Sequence, residues 1–302
     1  MSFAGLDFQN PIVLASGTAA YGRELHDIVD LERLGGLVTK AVSLSPRPGA
    51  KAPRVSDFPG GMINAIGLAN PGVDVVRDTE LPWLAAHLRA ARVFVNVVGN
   101  TVEDFAEVIE RLGDPAGVSG YELNVSCPNV KAGGLEFGAD RDVLRALVER
   151  ARTATRKPIV VKLSPTLSDL VGAAQVVADA GADAITLTNT LPGLVIDTET
   201  RRPRIGFGSG GVSGPPLLPV GVLATWRVSR VVTLPIIGLG GASRGEHALQ
   251  YIMAGATLVG VGTAGMVNPR APERMVTELV RWCQRHGVTS LDSVRGTLEW
   301  PT

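Results

Sequence analysis

The sequence predicts an α/β fold, a TIM-type (β/α)8 barrel, on two observations. Short runs rich in Val, Ile and Leu alternate with segments of helical spacing along most of the 302 residues. Eight such strand–helix units over about 250 residues match the closed barrel in number and length. The apolar runs that predict its strands are 11–15, 36–40, 93–97, 121–125, 158–163, 184–188, 234–239 and 257–262.

Amphipathic segments between these runs predict the barrel helices. Clear examples span 102–112, 140–154, 167–181 and 244–255. Three of them end at a glycine, which adopts the left-handed conformation of a helix cap at low cost. These glycines are Gly113, Gly181 and Gly255.

A doubly wound open sheet is the alternative architecture. It would place a phosphate loop after the first strand, but the segment there, ASGTAAYG (15–22), does not match G-x-G-x-x-G. No internal repeat or low-complexity linker divides the chain, so we expect one domain over residues 1–302. Two insertions, 42–80 and 190–217, follow predicted strands and belong at the C-terminal face of the barrel. Loops of that length inside a compact domain are usually functional.

Charge and composition exclude several classes of protein. Lys and Arg total 29, as do Asp and Glu, so no net charge attracts nucleic acid. The first ten residues lack the features of a signal peptide, and the uncharged stretch 205–226 is rich in Gly and Pro, which favours a loop over a membrane span. Two cysteines, Cys127 and Cys283, cannot form a disulfide framework or a four-thiolate cluster. We therefore expect a cytoplasmic protein without a nucleic-acid or membrane partner.

Polar residues and glycine pairs end the predicted strands, where a barrel of this kind builds its active site. In strand order they are Ser16, Lys40, Asn96, Asn124, Lys162, Asn189, Gly240 with Gly241, and Gly262 with Thr263. The two glycine loops follow strands seven and eight, a recurrent phosphate site, which predicts a phosphorylated ligand. Two lysines at one cavity would attract delocalised negative charge, and Schiff-base chemistry at one of them, as in an aldolase, is the alternative.

Cys127 lies in a polar loop, NVSCPNVKAGG (124–134), directly after strand four. A thiol there can act as a base or a nucleophile, because its reference pKa of about 8.5 is close enough to neutrality to be tuned. Amide side chains, which both donate and accept hydrogen bonds, match a small planar ligand edged with C=O and N–H groups. The amides predicted at the barrel mouth are Asn64, Asn70, Asn124, Asn129 and Asn189. Carbohydrate recognition is the alternative for this set.

Several of these segments together resemble one known family. The chain resembles the class 1 dihydroorotate dehydrogenases, specifically the catalytic subunit of class 1B, over essentially its whole length. The markers are VTKAVSLSPRPGAKAPR (38–54), NAIGLANPG (64–72), ELNVSCPNVKAGG (122–134), VKLSP (161–165), TLTNT (186–190) and IGLGGA (237–242).

The resemblance implies an FMN-binding barrel that oxidises dihydroorotate to orotate in pyrimidine biosynthesis. Cys127 would be the base that removes the C5 proton while the flavin N5 accepts hydride from C6, and the loop 128–135 would close over the substrate. The implied substrate contacts are Lys40, Asn64, Ala65, Ile66, Gly67, Leu68, Asn124, Asn189 and Thr190. The implied flavin contacts are Ser16, Lys40, Ala41, Asn96, Asn124, Lys162, Thr188, Gly214, Gly240, Gly241, Gly262 and Thr263, the last four at the phosphate.

The resemblance also implies a partner. Class 1B catalytic subunits pass electrons to a second subunit that carries FAD and a [2Fe–2S] cluster and reduces NAD+. A homodimer, or an α2β2 heterotetramer with that subunit, is the implied assembly. A class 1A-like enzyme that uses fumarate, or another FMN barrel reductase acting on a pyrimidine, is the alternative. Two positions on the flavin side depart from the common family pattern, Leu218 in place of Lys and Ala41 in place of Thr.

Overall fold

A computed structural model describes residues 1–126 and 136–301. Eight parallel strands close into a barrel in which each strand pairs with the next along the chain and the last pairs with the first. They are β1 (Ile12–Leu14), β2 (Gly36–Val38), β3 (Arg92–Val97), β4 (Gly120–Asn124), β5 (Ile159–Leu163), β6 (Ala184–Leu187), β7 (Ile236–Leu239) and β8 (Leu258–Val261). The predicted barrel is confirmed, and the open-sheet alternative is wrong.

Helices surround the barrel and join its strands. They are α1 (Arg23–His26), α2 (Val73–Val75), α3 (Leu81–His87), α4 (Val102–Leu112), α5 (Arg141–Ala154), α6 (Leu170–Asp179), α7 (Leu218–Ser229), α8 (Gly245–Met253), α9 (Thr263–Val267) and α10 (Ala271–His286). The uncharged stretch 205–226 was predicted as a loop, but from Leu218 onward it belongs to α7. Proline does not prevent helix formation here because it lies in the first turn, where its missing N–H is not needed. No helix in the described part of the chain is long and apolar enough to cross a membrane.

Local sequence signals account for the bounds of α4. The helix begins after Thr101, whose hydroxyl oxygen accepts a hydrogen bond from the Asp104 amide. It ends at Gly113, which has a φ of 64°. Phe105 and Ile109 lie on one face of the helix and are buried in the core between the helices and the barrel.

The interior of the barrel changes from apolar to polar along its axis. At the N-terminal end Phe3, Phe8 and Phe94 pack edge-on or stacked against one another, under the hairpin of Ser2–Phe3 and Leu6–Asp7. Val160 of β5 belongs to this apolar cluster. Since side chains alternate along a strand, Lys162 of the same strand also points inward, one layer closer to the C-terminal end.

The two long insertions pair with each other in a four-stranded antiparallel sheet, here called the cap sheet. Its strands are, in spatial order, Leu191–Gly193, Gly210–Ser213, Gly61–Asn64 and Val55–Phe58. The central register joins Asn64 to Gly211 and Ile63 to Val212. A separate hairpin of Ile196–Asp197 and Arg202–Pro203 extends the second insertion. Both insertions were predicted as functional loops, and the cap sheet places part of each insertion at the barrel mouth.

Candidate active site

The carboxyl ends of the eight strands bring most of the predicted site residues to one end of the barrel. Those within or directly after barrel strands are Ser16, Lys40, Ala41, Asn96, Asn124, Lys162, Thr188, Asn189, Thr190, Gly240, Gly241, Gly262 and Thr263. The cap sheet and the turns beside it contribute Asn64, Ala65, Ile66, Gly67, Leu68 and Gly214. Cys127, Asn129 and the loop 128–135 lie outside the described residues.

Lys162 and Lys40 have inward positions on separate parts of the wall, since Lys162 lies in β5 and Lys40 follows β2, with β3 and β4 between them. Lys162 is only 6% exposed and stands in register with Asn124 on one side and Thr186 on the other. Lys40 is partly buried and lies two residues beyond Val38, which faces the apolar interior. None of the ion pairs within residues 1–126 and 136–301 includes either lysine. The mouth therefore carries positive charge suited to an anionic ligand.

A buried polar layer lies directly beneath the mouth. The carboxylate of Glu122 accepts one hydrogen bond from Asn96 Nδ2 and one from Thr186 Oγ1, both at 2.8 Å. All three side chains are almost fully buried. Glu122 was not predicted as a site residue, although its signal is readable: it is the one charge in strand β4 and shares the inward parity of Asn124.

The amide side chains at the mouth have defined orientations. Asn189 Nδ2 donates to Asn124 Oδ1 at 3.3 Å, and Asn189 Oδ1 accepts from the Thr190 amide at 2.9 Å. Asn64 Nδ2 donates to the Gly211 carbonyl at 3.2 Å, which ties it to the cap sheet. These contacts use the Oδ1 of Asn124, while its Nδ2 group has no partner among residues 1–126 and 136–301 and is a candidate donor to a ligand.

Asn70 has a different role from the one predicted. It is buried, and its Oδ1 accepts hydrogen bonds from the backbone amides of Ser43 and Gly72. Its Nδ2 donates to Ser43 Oγ and to the Leu68 carbonyl, both at 2.8 Å. Both polar atoms of its side-chain amide form hydrogen bonds within the first insertion. Asn70 therefore stabilises the loop that contains Ile66–Leu68 and does not contact a ligand.

The turn that follows Asn64 is tightly constrained. Gly67 and Leu68 both adopt positive φ, 69° and 56°. The Ile66 carbonyl accepts from the Ala50 amide at 3.0 Å, and a Cβ on Gly67 would come too close to that same amide. Only glycine therefore fits at position 67.

The predicted phosphate loops meet at one side of the mouth. Gly240 and Gly241 have φ values of 137° and 67°, and a Cβ on Gly241 would lie 2.5 Å from the Leu218 amide nitrogen and 3.0 Å from the Gly214 carbonyl. Thr263 Oγ1 donates to Ser213 Oγ at 2.8 Å, which joins the β8 loop to the cap sheet. Tyr251 donates to the Gly240 carbonyl at 2.7 Å, and burial raises its pKa above the usual range, so the donor stays protonated.

Comparison with known proteins agrees with this geometry. The family model described as dihydroorotate dehydrogenase matches residues 1–282. The chain belongs to the dihydroorotate dehydrogenase family. It is similar to a protein of Pelobacter propionicus named dihydroorotate dehydrogenase B (NAD(+)), catalytic subunit, with 46% identity over 99% of this chain and 98% of that protein. A protein of Geobacter sp. strain M21 with the same name is 45% identical over 99% of this chain and 97% of that protein.

Two further similarities mark the range of this dihydroorotate dehydrogenase family. A protein of Solibacter usitatus, named provisionally as dihydroorotate dehydrogenase A (fumarate), is 45% identical over 99% of this chain and 98% of that protein. The crystal structure of the Eimeria tenella enzyme in complex with ferulenol superposes with a TM-score of 0.81 and 24% identity, covering 98% of this chain and 87% of that one. At that identity the structure supports the fold alone.

Proposed function

We propose that this protein oxidises dihydroorotate to orotate with bound FMN, and that it is the catalytic subunit of an NAD+-dependent enzyme. The observation that carries the proposal is membership of the dihydroorotate dehydrogenase family across residues 1–282. The positive, amide-lined mouth supports it, because the substrate combines a carboxylate with ring C=O and N–H groups.

The residues present fit FMN at two separate places. The open backbone of Gly240, Gly241 and Gly262, with the Thr263 hydroxyl, suits the phosphate group. Two buried oxygens, Asn96 Oδ1 and Thr188 Oγ1, have no hydrogen-bond partner among the described residues, and a flat ring edged with N–H and C=O groups would supply partners. When bound, FMN supplies the acceptor for the hydride that leaves C6 of dihydroorotate.

The remaining flavin contacts in the proposal are those on the wall and rim of the mouth. They are Ser16, Lys40, Ala41, Asn124, Lys162 and Gly214. Lys162 is buried and would offset negative charge that develops on the ring system during reduction.

The substrate is held, in this proposal, by side chains that already have fixed orientations. The Nδ2 of Asn124 donates to a substrate oxygen, while Asn189 and Thr190 keep the Asn124 amide from rotating. Lys40 pairs with the substrate carboxylate. The turn from Asn64 through Leu68 closes the side of the site, with Gly67 allowing close approach of the backbone.

Cys127 is the base of the proposed mechanism, on the strength of the motif alone. Its thiolate accepts the C5 proton, and the amide and lysine donors stabilise charge on the substrate carbonyls as that proton leaves. Closure of the loop 128–135 would exclude water from the reacting atoms.

Electrons leave the barrel to a separate subunit in this proposal. The Pelobacter and Geobacter relatives are named as catalytic subunits of an NAD(+) enzyme, which supports a separate partner subunit. That this partner carries FAD and a [2Fe–2S] cluster is proposed from the family resemblance. A homodimer or an α2β2 assembly is proposed with it. The name of the Solibacter relative supports fumarate as the alternative acceptor. A cytoplasmic location stays a prediction from the sequence.

The experiment is an acceptor screen on the purified chain. The flavin is released and identified, and orotate formation is then followed with a redox dye, with fumarate, and with NAD+ in the presence and absence of the partner subunit. The proposal expects FMN, dye-linked activity, and NAD+ reduction only with the partner. Activity with fumarate alone would support the alternative acceptor, and no orotate with any acceptor would refute the assignment of substrate.

A further inference from the structure

The carboxylate of Glu122 has no part in the chemistry proposed above. It is 1% exposed, and none of the ion pairs in the described ranges of the chain includes it. Val160, in register with Glu122 on the adjacent strand, and Phe94, two residues before Asn96, are apolar and face the interior, so an apolar residue would fit a barrel interior here. Burial of a carboxylate is costly unless hydrogen bonds compensate it. Stability alone therefore does not explain why a carboxyl group occupies this position.

The hydrogen bonds of Glu122 determine how Asn96 is oriented. Glu122 Oε1 accepts from Asn96 Nδ2 at 2.8 Å, so the amide of Asn96 presents its NH2 group to Glu122. The second carboxylate oxygen is held by Thr186 Oγ1 at 2.8 Å, which prevents the group from turning away. An amide is planar, so its Oδ1 points away from Glu122.

That oxygen lacks a partner. Asn96 Oδ1 is fully buried and accepts no hydrogen bond from the residues that the structure describes. Buried acceptors are paired in nearly all folded proteins, so an unpaired one at the mouth of a barrel indicates that a ligand supplies the donor. The ring system of FMN has one N–H group of the imide type, which can donate to such an oxygen.

We propose that Glu122 is a positioning residue: by accepting from Asn96 Nδ2, it holds Asn96 Oδ1 as the acceptor for the flavin N–H. This inference rests on the proposed FMN binding. Without the carboxylate, the Asn96 amide is free to turn its NH2 toward the flavin, where two donors would face each other.

The test compares Glu122→Leu, which has no acceptor, with Glu122→Gln, whose amide oxygen still accepts from Asn96 while the Thr186 hydroxyl accepts from its NH2. The dissociation constant of FMN is measured on apoprotein by flavin fluorescence. We expect Glu122→Leu to weaken binding by about tenfold or more, and Glu122→Gln by about threefold or less. In an Asn96→Leu background, Glu122→Leu should raise the dissociation constant of FMN by less than about twofold, because the effect of Glu122 depends on Asn96.

Each other result overturns the inference. Unchanged FMN affinity in Glu122→Leu, an equal loss in both Glu122 variants, or a full tenfold loss in the Asn96→Leu background would mean that Glu122 does not act through Asn96. If Glu122→Leu does not fold, Thr186→Val and Thr186→Ser replace it: weaker FMN binding is expected only in the variant without a hydroxyl, and equal binding in the two contradicts the inference. Failure of the wild-type apoprotein to bind FMN would refute the proposed function instead.

Discussion

Asn189 Nδ2 donates a hydrogen bond to Asn124 Oδ1 at 3.3 Å, from the end of β6 to the end of β4. The bond crosses the strand between them, which carries Lys162 in register with Asn124. Among the described residues nothing uses the other donor, Asn124 Nδ2, which lies beside a buried lysine. This relationship supports the proposed binding of an anion with hydrogen-bonding oxygens at the mouth of the barrel.

Asn124→Asp should weaken the productive binding of dihydroorotate. The variant keeps the acceptor for Asn189, but it replaces the donor to the substrate with a negative charge that repels a carboxylate. We expect the dihydroorotate concentration for half-maximal flavin reduction to rise by about tenfold or more. Stopped-flow reduction at a series of substrate concentrations measures it.

The control for this prediction is Asn268→Asp. Asn268 is exposed, and its Oδ1 accepts from the Arg270 amide, which an aspartate can also do. In Asn268→Asp, the dihydroorotate concentration for half-maximal flavin reduction should match that of the wild type. Equal behaviour of the two variants would remove Asn124 from the substrate site.

Gly241→Ala should lose FMN because the cradle for the phosphate is filled. A Cβ there would press on the Leu218 amide and the Gly214 carbonyl. Gly287→Ala is the matched control, since Gly287 is left-handed with a φ of 65°, close to the 67° of Gly241, while nothing lies within 4 Å of its Cβ. Both variants should lose about 1–2 kcal/mol of stability to the left-handed backbone. Only Gly241→Ala should purify with reduced FMN content, and normal FMN in it would argue against the phosphate assignment.

Lys162→Gln should bind FMN but reduce it slowly. The lysine is buried at the mouth, and in the proposed mechanism its positive charge stabilises negative charge that appears only during reduction. Loss of one such preorganised group typically slows the step about hundredfold. Lys157→Gln is the control at the opposite end of β5, where the ammonium group donates to the Pro115 and Val118 carbonyls. It should lower the melting temperature without slowing reduction; equal rates in the two variants would contradict the role of Lys162.

Cys127→Ser should keep the flavin and lose most of its rate of reduction at neutral pH. A serine hydroxyl forms a base far less readily than a thiol, and loss of a general base typically costs about 10²–10⁴-fold. The rate should recover partly as the pH is raised. Cys283→Ser, on the outer helix α10, should behave as the wild type. An unchanged rate in Cys127→Ser would exclude Cys127 as the base.

Elements whose signals lie within a few residues of each other were predictable from the sequence. The helix 102–112 has the predicted bounds because its cap, its apolar face and its terminal glycine are all local. The inward positions of Lys40 and Lys162 follow from the alternation of side chains along short strands. The residues alone left open whether the site binds a phosphorylated, negatively charged ligand or uses lysine Schiff-base chemistry. The family motifs then indicated a specific substrate and cofactor.

Features that depend on contacts distant in sequence could not be predicted in this way. The cap sheet pairs Asn64 with Gly211, and no local pattern identifies the partner of either strand. Asn70 was predicted to contact a ligand because its hydrogen bonds to Ser43, 27 residues away, have no signal in the sequence. The inward position of Glu122 is readable in the sequence, but its hydrogen bonds to Asn96 on β3 and Thr186 on β6 are not, because both partners are distant in sequence.

The most direct test of the account is an anaerobic titration of the purified, FMN-loaded chain with dihydroorotate, followed by its visible spectrum. The account predicts that the flavin absorption is bleached and that orotate appears in an amount equal to the FMN reduced. A protein that holds a full complement of FMN, yet stays oxidised at every dihydroorotate concentration while a chemical reductant bleaches it, would contradict the account.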